Sequence, residues 1–199
     1  MNKKKDIRAL TKEELRFFFV ENNDQAFRGN QVYEWLWSKS LHTFEEMTNI
    51  SKETREMLEA NFVINHIKVD SMQKSKDGTI KNGIKLHDGL IVESVLIPTE
   101  KRTTACVSSQ VGCSLDCKFC ATSRLKRMRN LNPDEIYDQV VIIDKQSRLY
   151  FNHKLSNIVF MGMGEPLMNY KNMMKSIEMI TSPEGLGMSS KRITVSTSG

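Results

Sequence analysis

The spacing of apolar residues changes character twice along this chain. Up to about position 61 it is helical. Thr11-Lys-Glu-Glu14 has the form of a capping box, with Leu15, Phe18 and Phe19 as the apolar face that follows. A second helix is predicted over Phe27 to Ser38, where Val32, Trp35 and Leu36 recur at helical spacing. Trp35 is assigned to the core; the alternative for Trp35 and Trp37 is to stack on nucleic-acid bases. A third helix starts near Ser51 and turns Met57 and Leu58 inward. The period then drops to two, with strands predicted at Ile67 to Met72, Thr79 to Leu86 and Leu90 to Ile97. Asp77-Gly78 and Asp88-Gly89 between them are hairpin signals, and Pro98 ends the last run.

Beyond Thr103 the pattern becomes strand, loop, helix, repeated. Strands are predicted at Thr103 to Ser108, Ser156 to Met161 and Lys191 to Gly199. Asn132-Pro-Asp-Glu135 opens a helix with Ile136, Val140 and Ile143 buried, and Asn169 to Ile180 forms the next, with Met173, Met174 and Ile177 inward. This βαβαβ order implies a parallel sheet with right-handed crossovers. The fold class is therefore α/β, with a small accessory domain of helices and a β-hairpin over 1–97 and the α/β domain over 98–199. In a βα-barrel, reactive groups gather at the C-terminal ends of strands. The loops after Ser108 and Met161, and the segment Ser196 to Gly199, all fall at such ends.

Composition narrows the classes. With 39% hydrophobic residues in 199 a real core is possible, while no apolar run is long enough to span a bilayer, so no membrane partner is expected. The net charge of +5 is compatible with nucleic acid without establishing it. The twelve methionines read as core filler. The N-terminus, Met1-Asn-Lys-Lys-Lys-Asp, has no apolar run after it, so no export signal is expected. Clustered free thiols without such a signal point to a reducing cytoplasm.

Those thiols carry the chemistry. All four cysteines lie between Cys106 and Cys120, and Cys113, Cys117 and Cys120 form a C-x3-C-x2-C triplet. A closed structural zinc site wants four ligands, and ordinary electron-transfer clusters use four cysteines. Three on a cubane leave one iron open for a substrate. Zinc remains the alternative if Cys106 supplies the fourth ligand. The loop Gly162-Met-Gly164-Glu165 offers carbonyls and a carboxylate to an ammonium group, or is a plain tight turn. Ser196 is a hydroxyl at a strand end. Glu93 is a lone acid in an apolar strand: a solvent-facing residue on an alternating strand, or a proton acceptor in a pocket. Lys118, Arg124, Lys126, Arg127 and Arg129 form a basic run, either a solvated face or a contact to RNA phosphates.

The cysteine spacing resembles that of the radical S-adenosylmethionine (SAM) enzymes. The likeness tightens over Phe27-Arg-Gly-Asn-Gln-Val-Tyr-Glu-Trp-Leu-Trp, Phe44-Glu-Glu-Met-Thr-Asn, Glu93-Ser-Val-Leu-Ile-Pro98, Cys106-Val-Ser-Ser-Gln-Val-Gly-Cys113, Gly162-Met-Gly-Glu-Pro-Leu and Ser196-Thr-Ser-Gly199. These segments are similar to the RlmN family, dual-specificity radical SAM methyltransferases acting on adenine C2 of 23S ribosomal RNA and of transfer RNA. The resemblance implies a partial (βα)6 barrel, of which this chain holds the first half, and an RNA-binding role for residues 1–97. It implies a [4Fe-4S] cluster on Cys113, Cys117 and Cys120, and SAM contacts from Gly164, Glu165 and Ser196. Two SAM molecules serve each turnover: one methylates a protein cysteine, the other is cleaved to the radical that activates that methyl group for an electron-poor carbon. Cys106 maps onto the thiol that helps release the enzyme–RNA adduct, and Glu93 onto the proton acceptor. An electron donor such as flavodoxin, and a monomer at full length, complete the expectation.

The sequence departs from the family in two places. Cys120-Ala-Thr is followed by Ser123-Arg-Leu-Lys-Arg-Met, where the family often has glycine and a Gly-Phe pair. The family's methyl-carrying cysteine lies in its C-terminal part, and no cysteine follows Cys120. At roughly 30 residues per βα unit, Thr103 to Gly199 builds three units. The chain is therefore expected to be an N-terminal fragment that does not turn over alone. The related adenine-C8 methyltransferase and a non-catalytic zinc or RNA-binding module are the alternatives.

Overall fold

The computed structural model describes residues 4–198, which divide into two compact units: residues up to His66 together with 182–187, and residues 67–181 together with 188–198.

In the first unit, β1 (Lys5–Asp6) pairs in parallel with β2 (Phe62–Val63), and α1 (Lys12–Glu21), α2 (Phe27–Trp37) and α3 (Lys52–Asn61) lie between them in sequence. The capping box at the start of α1 forms as its sequence demands. The Glu14 N–H donates to Thr11 Oγ1 at 3.1 Å, and the Thr11 N–H donates to Glu14 Oε2 at 2.6 Å. The core is built from Leu15, Phe19, Val32, Leu36, Met47 and Leu58, with Phe18 and Met57 half-buried. The tryptophans correct the sequence reading. Trp37 is the fully buried one, whereas Trp35 is half-buried at the surface. Its indole N–H donates to Asn49 Oδ1 at 2.5 Å, and Lys39 Nζ sits 3.6 Å from the ring centroid. Trp37 joins Gly29, Val32 and Leu36 as the buried residues of α2.

The second unit holds one six-stranded sheet, in spatial order β10-β9-β6-β5-β4-β3. Its strands are β3 (Lys68–Lys74), β4 (Ile80–Lys85), β5 (Ile91–Pro98), β6 (Thr103–Cys106), β9 (Asn157–Phe160) and β10 (Ile193–Val195). The first three form an antiparallel meander turning at the two Asp-Gly pairs, whose glycines adopt φ of 87° and 85°. Strands β6, β9 and β10 run parallel, joined by crossovers through α4 (Pro133–Phe151) and α5 (Tyr170–Thr181). A two-residue ribbon, β7 (Gln110–Val111) with β8 (Arg129–Asn130), closes the cysteine loop at its base.

The sheet corrects the predicted domain boundary. Strand β5 pairs antiparallel with β6 through the tight Thr99–Arg102 connection, so the meander and the parallel strands are one sheet and the chain divides at His66, not Pro98. Helix α4 lies against β5 and β6, covering Val92, Leu96 and Ala105 with Ile136, Val140 and Ile143. Helix α5 packs on α4 through a stripe of Met173, Ser176 and Ile180; Met174, expected inward, is 42% exposed, and Ile177 is half-buried. The opposite face of the sheet carries the alternate residues. Register aligns Lys81, Val95, Cys106, Val159 and Thr194 in one row across five strands, with Glu93 one pleat away on the same face. The predicted third parallel strand is shorter than expected, and its terminal Gly199 lies outside the described residues.

Candidate functional site

A cleft of about 210 Å³ opens at the C-terminal ends of β6, β9 and β10. Its lining includes Cys113, Cys117 and Cys120 from the loop after β6, Gly164 and Glu165 from the loop after β9, and Ser196 after β10. Parallel strands deliver all three loops to the same edge, because every strand ends there. Six sequence-predicted residues thus meet, and two do not. Cys106 and Glu93 lie on the open sheet face, outside the lining of the cleft.

All four thiols are half-buried and unbridged. The cysteine loop is held from within. The Cys120 N–H donates to the Cys117 carbonyl at 3.1 Å, Ser123 Oγ donates to the Cys117 and Cys120 carbonyls at 3.0 and 2.6 Å, and the Leu115 N–H points at Cys113 Sγ at 3.5 Å. Phe119, between the last two cysteines, is 93% exposed. Among the described residues, no three His, Cys, Asp or Glu side chains stand close enough together to hold a metal ion. What fits an iron–sulfur cluster is the donor set: three thiols and no histidine line the cleft, and Cys106 is not positioned there as a fourth ligand. A closed zinc site gains no support from that arrangement.

The Gly162–Glu165 loop is fixed by the chain itself. Ser108, fully buried, donates through Oγ to the Glu93 carbonyl at 2.6 Å and accepts the Met163 N–H at 2.8 Å. The Ser109 and Gln110 N–H groups donate to the Met163 carbonyl at 2.9 and 3.1 Å. Gly164 adopts φ of 92°, and a Cβ there would overlap the Gln110 side chain, 2.6 Å from its Cγ. The glycine expected to admit a ligand is therefore already required by the loop's own packing.

Glu165 is 7% exposed. Burial pushes its pKa up, but hydrogen bonds outweigh that and hold it below the usual carboxylate value. The Ser198 N–H donates to Oε2 at 3.0 Å and the Leu167 N–H to Oε1 at 3.1 Å, and the Thr197 and Ser198 hydroxyls add to them. One carboxylate thus ties the loop after β9 to the segment after β10. Glu93 takes the solvent-facing place that strand alternation gives it, with Oε1 2.9 Å from Lys81 Nζ. Cys106 sits in the neighbouring row, and burial raises its thiol pKa, only partly offset by a backbone hydrogen bond from Met161.

The basic run is two things. Arg129 is structural: its guanidinium grips both oxygens of buried Glu135 at 2.7 and 2.8 Å and reaches Asp88 at 2.6 Å. Lys118 pairs with Asp116 at 2.7 Å. Arg124, Lys126 and Arg127 are exposed, beside exposed Leu125 and Met128. Sequence reasoning missed Ser108, Gln110, Asn130 and Asn169, whose side chains knit the loops together. For Ser108 and Gln110 the signal was polar residues within the cysteine motif; Asn130 and Asn169 lie outside it and had none.

Comparison with known proteins agrees with this geometry. Residues 5–64 match the ribosomal RNA large subunit methyltransferase N-terminal domain, and residues 107–199 match the radical SAM superfamily. The chain is 78% identical over 196 residues to a probable dual-specificity RNA methyltransferase RlmN of Flavobacterium johnsoniae, covering 98% of this chain and 56% of that one. Over nearly its whole length the chain is similar to RlmN proteins. A second RlmN relative, from Christiangramia forsetii, is 77% identical over 198 residues, again across 56% of its length, and one from Geotalea uraniireducens is 43% identical. A crystal structure of a radical SAM methyltransferase from Sphaerobacter thermophilus superposes with a TM-score of 0.85 at 35% identity, over 98% of this chain and 57% of that one. The chain spans about half the length of the RlmN relatives it matches.

Proposed function

We propose that this chain carries the cluster-binding and part of the SAM-binding machinery of a radical SAM RNA methyltransferase that modifies adenine C2 in 23S ribosomal RNA and transfer RNA. The observation that carries the reading is the meeting of three thiols, the Gly164–Glu165 turn and Ser196 in one cleft. Cys113, Cys117 and Cys120 would hold a [4Fe-4S] cluster, which would supply the electron for SAM cleavage. Gly164, Glu165 and Ser196 hold the cofactor's amino-acid end. Glu165 suits an ammonium partner because it lines the cleft and its hydrogen bonds hold it below the usual carboxylate value, as an anion.

Glu93 accepts the proton released from the base, and Cys106 helps release the covalent adduct. Both sit on the open sheet face rather than in the cleft, on the face that the base would have to reach. The raised pKa keeps Cys106 a neutral thiol until a base takes its proton. Exposed Arg124, Lys126 and Arg127 meet RNA phosphates, residues 1–97 contribute to RNA binding, and a small electron donor such as flavodoxin reduces the cluster in the cytoplasm. The methyl group travels through a methyl-cysteine, with two SAM molecules consumed per turnover.

Anaerobic reconstitution with iron and sulfide tests the reading. The chain should take up about four irons and four sulfides and turn brown, with visible absorption that bleaches on reduction. Cys113→Ala, Cys117→Ala and Cys120→Ala should each lose the chromophore while Cys106→Ala keeps it. A colourless protein that takes zinc instead, with Cys106 needed for it, would overturn the reading.

A further inference from the structure

Gln110 is fully buried, yet both ends of its carboxamide are used across two different loops. Its Oε1 accepts the Glu165 N–H at 2.9 Å, and its Nε2 donates to Asn130 Oδ1 at 2.7 Å. The orientation is forced: a backbone N–H only donates, so the oxygen must face Glu165 and the nitrogen must face Asn130. Asn130 is Gln110's register partner in the ribbon that closes the cysteine loop. Its Oδ1 also accepts Arg127 Nη2 at 3.0 Å, while its Nδ2 donates to the Met168 carbonyl at 3.3 Å. The other half of the contact is steric, since the Gln110 side chain fills the space a Cβ on Gly164 would need.

A continuous path therefore runs from exposed Arg127 through Asn130 and Gln110 to the backbone of Glu165. From there it passes through the Glu165 carboxylate to Ser198. We propose that Gln110 is a positioning residue, which sets the height of the Gly164–Glu165 turn in the cleft and ties that height to the returning end of the cysteine loop. It rests on the proposed reading of the cleft as a SAM site. Gln110 is outside the lining of the cleft; it acts through Glu165 and through the base of the loop that carries the thiols. Nothing else in the region offers the Glu165 N–H an acceptor among the described hydrogen bonds, so losing Oε1 leaves a buried donor stranded.

The test uses the whole chain and two readouts. Gln110→Met keeps the volume and the contact with Gly164 but removes acceptor and donor. Without any cofactor, the Glu165 amide should exchange with deuterated water roughly tenfold faster than in the unchanged chain. After anaerobic reconstitution the variant should hold the same iron and sulfide, but bind SAM roughly three- to tenfold more weakly in equilibrium dialysis. Asn130→Ala leaves Oε1 in place and frees the carboxamide to turn, so it should move both readouts in the same direction by less; it carries the test should Gln110→Met fail to fold. Equal amide exchange and equal SAM affinity in variant and unchanged chain would overturn the positioning role alone. A reconstituted, unchanged chain that takes no SAM would overturn the reading of the cleft and this inference with it.

Discussion

At the scale of single residues, the site depends on side chains that bind one another before they bind anything else. Glu165 is the clearest case. Its carboxylate is needed as an anion by the Ser198 and Leu167 N–H groups, so its charge is a structural element as well as a candidate ligand for an ammonium. The linkage has a definite sign. Burial alone would raise its pKa, the hydrogen bonds reverse that, and the folded-state value lies below the ordinary 4.5. In the window below that value the unfolded chain holds more protons than the folded one, so stability rises with pH there. The contribution is complete above the ordinary value and is lost as pH falls through the folded one. Urea midpoints measured between about pH 3 and pH 6 should therefore fall on acidification, and Glu165→Gln should flatten the fall while lowering the plateau. Parallel curves for the two proteins would show that Glu165 carries none of it.

At the scale of elements, local chemistry was legible where it acts over a few residues. The capping box before α1, the two Asp-Gly turns and the Asn132-Pro-Asp-Glu135 start of α4 form as their residues require, because each depends on neighbours within four positions. What stayed hidden depends on partners far along the chain. Pro98 ends a run of strand residues, yet β5 goes on to pair with β6, and only that pairing decides where the unit begins. The fate of Arg129 was hidden too. A run of cations reads as one surface, but Glu135 captures Arg129 while also accepting the Asn132 N–H at 2.9 Å, and His87 Nδ1 stands 3.3 Å from the same carboxylate. This arrangement anchors β8, the return of the cysteine loop, to the first turn of α4, where a carboxylate is favoured. Arg129→Ala leaves Glu135, only 1% exposed, with its main counter-charge gone. The loss should be about 3 kcal/mol in chemical denaturation, at the low end for a broken buried pair because the arginine is itself partly exposed. Arg129→Lys should recover part of it, lacking the two-pronged grip. A change under about 0.5 kcal/mol, as for an ordinary surface substitution, would mean the pair holds nothing.

At the scale of the second unit's sheet, its two edges are treated differently. Strand β3 carries Lys68 and Lys74 at its ends and a register shift between Val69 and Ser71, devices that discourage another strand from adding on. Strand β10 has neither: Ile193-Thr194-Val195 is uncharged and regular, and among the described residues it pairs only with β9. The sheet face opposite the helices adds to the exposure, with Ile91 and Ile97 both open to solvent. An unpaired regular edge beside such a face is a template for a second chain, so this 199-residue chain should self-associate. Sedimentation velocity from about 1 to 100 μM, the range in which exposed edges begin to associate, should show the mean sedimentation coefficient rising with concentration. Val195→Lys places a charge on the edge strand at a position 36% exposed, and it should move the rise to higher concentration. If the unchanged chain sediments as one monomer across the range, the edge is silent. If it associates but Val195→Lys does so equally, the contact lies elsewhere, and the face with Ile91 and Ile97 is the next surface to charge.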